Sequence, residues 1–76
     1  MHRMIKVESS AISELGYDVE QSVLYVEFKT GALYKYLGVP EAVYTSLMRA
    51  SSIGSFFDRE VRKKSYRYLI VREARS

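Results

Sequence analysis

Two runs rich in β-branched and aromatic residues, Val23 to Lys29 and Ala32 to Leu37, meet at Thr30-Gly31. Such runs suit a pleated, half-buried surface, and Gly adopts the positive φ of a tight turn. The centre of the chain therefore predicts an antiparallel β-hairpin. Everything else must be built around it within 76 residues, which is the length of one domain, residues 1–76. A chain this short buries only about 60% of its unfolded surface on folding. It contains no Cys, so no disulfide assists, and thiol catalysis and Cys-ligated zinc are excluded. The core has to come from the 47% hydrophobic residues, which include seven Tyr and three Phe but no Trp. That content is too apolar for a disordered chain.

Side chains alternate along a strand, so the turn decides what faces what. A two-residue Thr30-Gly31 loop sets Lys29 opposite Ala32, Phe28 opposite Leu33, Glu27 opposite Tyr34, Val26 opposite Lys35 and Tyr25 opposite Tyr36. One face then carries Leu24, Val26, Phe28, Leu33 and Leu37 with Lys35 as its one charge, and reads as core. The other carries Tyr25, Tyr34 and Tyr36 beside Glu27 and Lys29. A one-residue shift in the turn changes the partners while each strand keeps its own alternation.

Around the hairpin, Met4 to Glu8 alternates weakly as a half-buried strand. Ser10 to Tyr17 is expected to be an extended, irregular strand, since Gly16-Tyr17-Asp18 and the paired Ser oppose a helix. Pro40 suits a helix start and Glu41 the positive end of its dipole, so a helix is predicted from about Pro40 to Ala50. Its apolar stripe is Val43, Tyr44, Leu47 and Met48. A second helix follows Ser51-Ser52, either of which can cap it, with Ile53, Phe57 and Val61 at four-residue spacing. Tyr68 to Val71 closes the chain as an apolar strand. The expected fold is α+β: a small antiparallel β-sheet centred on the hairpin, with two helices packed on one face.

Few function classes survive the side-chain inventory. His2 is the one histidine and sits at the second position, a poor place for a ligand or base. The nine acids are scattered, without the spacing that gathers ligands for a divalent ion. No Ser lies in Gly-x-Ser-x-Gly, and no Gly-rich phosphate loop is present. The chain is therefore expected to be no enzyme and to use no metal or cofactor. No uncharged run approaches the ~20 residues of a membrane span, and no secretory signal is evident, so a cytoplasmic protein without a membrane partner is expected.

Charge is unevenly spread. From Arg59 to Ser76 there are seven basic residues against two acids, although the formal net charge of the chain is only +3. On a helix, Arg59, Arg62, Lys63 and Tyr66 follow i, i+3, i+4, i+7 and share a face, with Arg67 close by. Cations around an aromatic ring suit a phosphate backbone and a stacked base, and Tyr34 and Tyr36 with Lys29 offer the same combination on the sheet. Four phosphate contacts would make single-strand binding strongly salt-dependent, by about 0.7 in log K per phosphate. The competing readings are structural: a solvated helix exterior for the cations, and cross-strand aromatic pairs for the tyrosines. If the helices cover the tyrosine face, stacking there is blocked.

Several motifs occur together in order: Ser9-Ser10-Ala11-Ile12, Gly16-Tyr17-Asp18, Leu24-Tyr25-Val26-Glu27-Phe28, Tyr34-Lys35-Tyr36, Gly38-Val39-Pro40, and Ser52-x-Gly54-x-Phe56-Phe57 followed by Val61-Arg62. In this spacing, from about Val7 to Tyr66, the chain resembles the KTSC domain, a family named for lysyl-tRNA synthetase C-termini. Asp58 departs from the pattern, where Asn is expected. The resemblance implies a domain found both as an appendage on such synthetases and as a small stand-alone bacterial or phage-related protein, with RNA binding suggested for it. The chain has no room for an aminoacylation domain. The leading expectation is thus a non-enzymatic RNA-binding module, with Arg59, Arg62, Lys63 and Arg67 on phosphate and Tyr34, Tyr36 and Tyr66 stacking. The rival is a protein-interaction or homo-oligomerisation module that docks another chain on the tyrosine face or the sheet edge.

Overall fold

A computed structural model describes residues 3–74; His2, and Arg75 of the basic tail, lie outside them. Five antiparallel strands form one sheet in the order of the chain: β1 (Ile5–Lys6), β2 (Ile12–Asp18), β3 (Val23–Phe28), β4 (Leu33–Leu37) and β5 (Tyr68–Arg72). Two helices, α1 (Glu41–Arg49) and α2 (Ile53–Phe57), lie between β4 and β5 in sequence. The expected α+β class is the one observed.

Short-range hydrogen bonds set the strand boundaries. Ser9 Oγ accepts from the backbone N–H groups of Ala11 and Ile12 (3.3 and 3.2 Å), which turns the chain into β2. Asp18 Oδ1 takes the N–H groups of Glu20 and Gln21 (3.0 and 3.2 Å), closing the link to β3. Gly38, at φ 71°, ends β4 and delivers the fully buried Val39 into the core. Ser52 Oγ caps α2 by accepting from Ser55 N–H at 3.4 Å.

The central turn corrects the predicted register. Phe28 N–H donates to Ala32 O and Gly31 N–H to Phe28 O, both at 2.9 Å, so the loop is the three residues Lys29-Thr30-Gly31, with Gly31 at φ 95°. This is the hairpin in which a tight turn is followed by a left-handed residue. One additional loop residue slides β4 by one position: Val26 faces Tyr34 and Leu24 faces Tyr36. Tyr34 and Tyr36 therefore share the face of Leu24, Val26 and Phe28, and Leu33, Lys35 and Leu37 move to the other. A one-residue slip reverses every side chain of a strand, which is why the two sets exchanged places.

Both helices pack on the face carrying Leu24 and Tyr36. Ile12, Leu15, Leu24, Val26, Val39, Leu47, Phe57 and Val61 are all buried there. Leu47 is the buried member of the predicted α1 stripe, with Val43, Tyr44 and Met48 at its margin. Tyr44 stacks on Tyr17 with ring centroids 5.1 Å apart, while the Tyr17 hydroxyl donates to Val39 O at 2.5 Å. Beyond α2 the backbone widens into a π-helical turn over Asp58–Arg62, in which Lys63 N–H reaches Asp58 O at 3.1 Å. Among the described residues no helix is long and apolar enough to cross a membrane.

Candidate nucleic-acid interface

The helices do not reach across the whole sheet. β2 and β3 each contain three buried residues, β4 contains only Tyr36, and β5 none. Pairing of Tyr68 with Tyr36 and of Ile70 with Tyr34 carries the face beyond the helix layer. A concavity of about 440 Å³ results, lined by Phe28, Tyr34, Tyr36, Arg62, Lys64, Tyr66 and Tyr68. Aspartate and glutamate are absent from this lining.

The rings form a packed cluster. Tyr34 lies 5.5 Å from Tyr68 and 6.2 Å from Tyr36, with interplanar angles of 19° and 22°. Phe57 meets Tyr36 edge-on at 5.6 Å, and Phe28 meets Tyr34 edge-on at 5.5 Å. These separations are those of aromatic rings in mutual contact. Tyr36 keeps only 5% of its surface exposed, whereas Tyr68 keeps 54%. Burial, and then the neighbouring Tyr34 and Tyr68, push the Tyr36 phenol up to about 12, against the opposing pull of Arg62. At neutral pH this hydroxyl is a neutral donor.

The sequence-predicted cations separate into two groups. Arg62 borders the concavity, and its Nε donates to Asp58 Oδ1 at 2.6 Å. Lys64, which the helical spacing does not single out, stands beside it with Nζ 3.7 Å from Glu60. Arg59 pairs with Glu60 at 3.2 Å and lies over the Phe56 ring, Lys63 pairs with Asp58 at 3.5 Å, and neither lines the concavity. The hydrogen bond from Arg62, aided by the charges of Arg62 and Lys63, holds the Asp58 carboxyl below its ordinary range despite some desolvation. Lys29 projects from the hairpin loop, and Arg67 contributes its backbone O to Leu37 N–H at 2.8 Å. Neither belongs to the lining.

The predicted i, i+3, i+4, i+7 face does not form. The π turn alters the helical period, the helix stops at Arg62, and Tyr66 follows the turn at Lys63–Ser65. Tyr66 still reaches the concavity, by the return of the chain toward β5. Tyr68, which the sequence places in an apolar closing strand, also lines the concavity; its position at the start of β5, two residues after Tyr66, is the signal available in the sequence.

Comparison with known proteins identifies the fold and its family. Residues 8–68 match the model of the KTSC domain, and the chain belongs to that family. It is 42% identical over 66 residues to an uncharacterized protein of Stutzerimonas stutzeri (strain A1501), covering 87% of this chain and 93% of that one. The crystal structure of the KTSC domain protein of Yersinia pestis superposes with a TM-score of 0.86 at 35% identity, over 93% of this chain and 99% of that one. A lysine–tRNA ligase of Nostoc punctiforme is 33% identical over 61 residues, which are 80% of this chain but 11% of the ligase.

Proposed function

We propose that this KTSC domain is a non-enzymatic module that binds single-stranded RNA in the concavity between β4, β5 and the turn after α2. The observation that carries the reading is the meeting of four tyrosines with Arg62 and Lys64 in one acid-free hollow. Cations with aromatic side chains are what a single strand needs, one for its backbone and the other for its bases. Arg62 and Lys64 contact phosphate, and the outward ring of Tyr68, with Tyr66 beside it, stacks a base. Tyr34 and Tyr36 support Tyr68 from within. Arg59, Lys63, Lys29 and Arg67 contribute long-range attraction. The similar segment in lysine–tRNA ligases, proteins named for an RNA, supports the same reading.

An NMR amide titration with a mixed-sequence single-stranded RNA, at several salt concentrations, tests it. Shifts are expected at Tyr34, Tyr36, Arg62, Lys64, Tyr66 and Tyr68. Two phosphate contacts give a salt slope of roughly 1.4 in log K, against roughly 2.8 for the four sequence-predicted cations Arg59, Arg62, Lys63 and Arg67. Shifts confined to Arg59 and Lys63 would mean nonspecific charge attraction, and no shifts at low salt would reject the reading.

One observation favours the second reading, docking of another chain. β5 is an edge strand, and Tyr68, Leu69, Ile70 and Val71 are each about half exposed. Its edge is interrupted, because Tyr34 faces Ile70 while Leu33 faces Arg72, which leaves Val71 as a bulge. Light scattering on the same samples reads any self-association through this edge.

A further inference from the structure

A buried tyrosine ordinarily finds a partner for its hydroxyl, as Tyr17 does on Val39 O. Tyr36 is the one buried phenol of the concavity, yet its hydroxyl makes no hydrogen bond within the described residues and instead opens into the hollow. Tyr34 and Tyr68 stand close enough to raise its pKa, and Arg62 close enough to oppose them. Four phenols, a guanidinium and an ammonium thus border one space without a carboxylate. The Asp58 contact engages Arg62 through Nε, which leaves the terminal guanidinium nitrogens to an incoming anion. A base, by contrast, finds no slot: Tyr34 stacks on both Tyr36 and Tyr68, Tyr36 meets Tyr68 at a tilt, and Phe57 and Phe28 pack against Tyr36 and Tyr34.

We infer that the concavity grips a phosphate group, with the hydroxyls of Tyr34, Tyr36 and Tyr68 donating to its oxygens alongside Arg62 and Lys64, and that bases stack only outside it. The inference rests on the RNA reading above and assigns which part of the strand enters. Several donors converging on one tetrahedral anion match its many acceptor sites, and each such bond is charge-assisted.

The test is Tyr36→Phe, which keeps the ring and removes one uncharged donor, with the amide spectrum confirming the fold. Affinities are measured for hexauridylate, for the same strand with neutral methylphosphonate linkages, and for inorganic phosphate. The variant is expected to bind hexauridylate about tenfold more weakly, the loss of one hydrogen bond to a charged group, while wild type and variant bind the neutral strand equally poorly. Hexauridylate bound equally well by wild type and variant would overturn the phosphate cradle and leave the RNA reading standing. Phosphate that shifts the Tyr36 surroundings while neither strand binds would remove the RNA reading and support the cradle. Absence of both would remove both.

Discussion

One face of one sheet has two halves built on opposite terms. Under the helices, Leu15, Leu24 and Val26 are fully sealed and aliphatic. Toward β5 the same face turns aromatic and open, and ends in hydroxyls. Burial of apolar area stabilises the first half in proportion to the area removed from water. The second half has large rings that still bury apolar area against one another, but their polar tips stay uncovered. The helix layer is short, nine residues in α1 and five in α2 before the π turn, and its reach sets the border. In a domain this small, the surface left over by an undersized helix layer becomes the concavity.

The contrast is broken most directly by truncating one residue in each half. Leu24→Ala is expected to cost about 2–5 kcal/mol, as deletions at sealed core sites do. That is much of the roughly 5–15 kcal/mol typical of a whole domain. Tyr68→Ala, at a half-exposed edge, should cost at most about 1.5 kcal/mol for its ring contacts and instead weaken RNA binding. Urea unfolding of both variants decides; equal destabilisation would mean that the aromatic half is core after all.

The pH dependence of Tyr36 sharpens the same border. Its phenol is raised from 10.0 to about 12 in the folded protein, so the folded state holds the proton more tightly than the unfolded chain. The associated stability is complete below pH 10 and is lost as pH rises from 10 through 12. Ultraviolet titration should find this phenol ionising later than an ordinary tyrosine, and Tyr36→Phe should flatten stability over that range.

The smallest effect is expected from Asp58→Asn. Asp58 holds Arg62 in an exposed pair, and such pairs are worth little to stability. Removing its charge should leave unfolding nearly unchanged and tighten RNA binding a few-fold at low salt, by relieving competition for the guanidinium. Unchanged affinity would exclude Arg62 as a strand contact.

How far the chain could be read depended on the range of the interactions. The hairpin, the α1 stripe of Leu47 and its neighbours, and the Ser52 cap follow from residues within a few positions of one another. The face of Tyr34 and Tyr36 did not, because alternation with period two is the same in either register. One loop residue, Lys29, decided between them by joining the turn. The basic helix face failed for a related reason: four-residue spacing presumes an unbroken α-helix, and the π turn at Asp58–Arg62 ends that periodicity.

Strand and helix identities, the uneven charge and the membership of a family were thus present in local pattern and motif order, since backbone preference and side-chain period act over one or two turns. The concavity was not. Tyr36 comes from β4, Arg62 from the π turn and Tyr68 from β5, and they meet because β5 pairs with β4 across some thirty residues of intervening helix and turn. Such pairing is chosen by the packing of the whole chain, and it alone places the open hydroxyl of a buried tyrosine, an arginine and an exposed ring in one hollow.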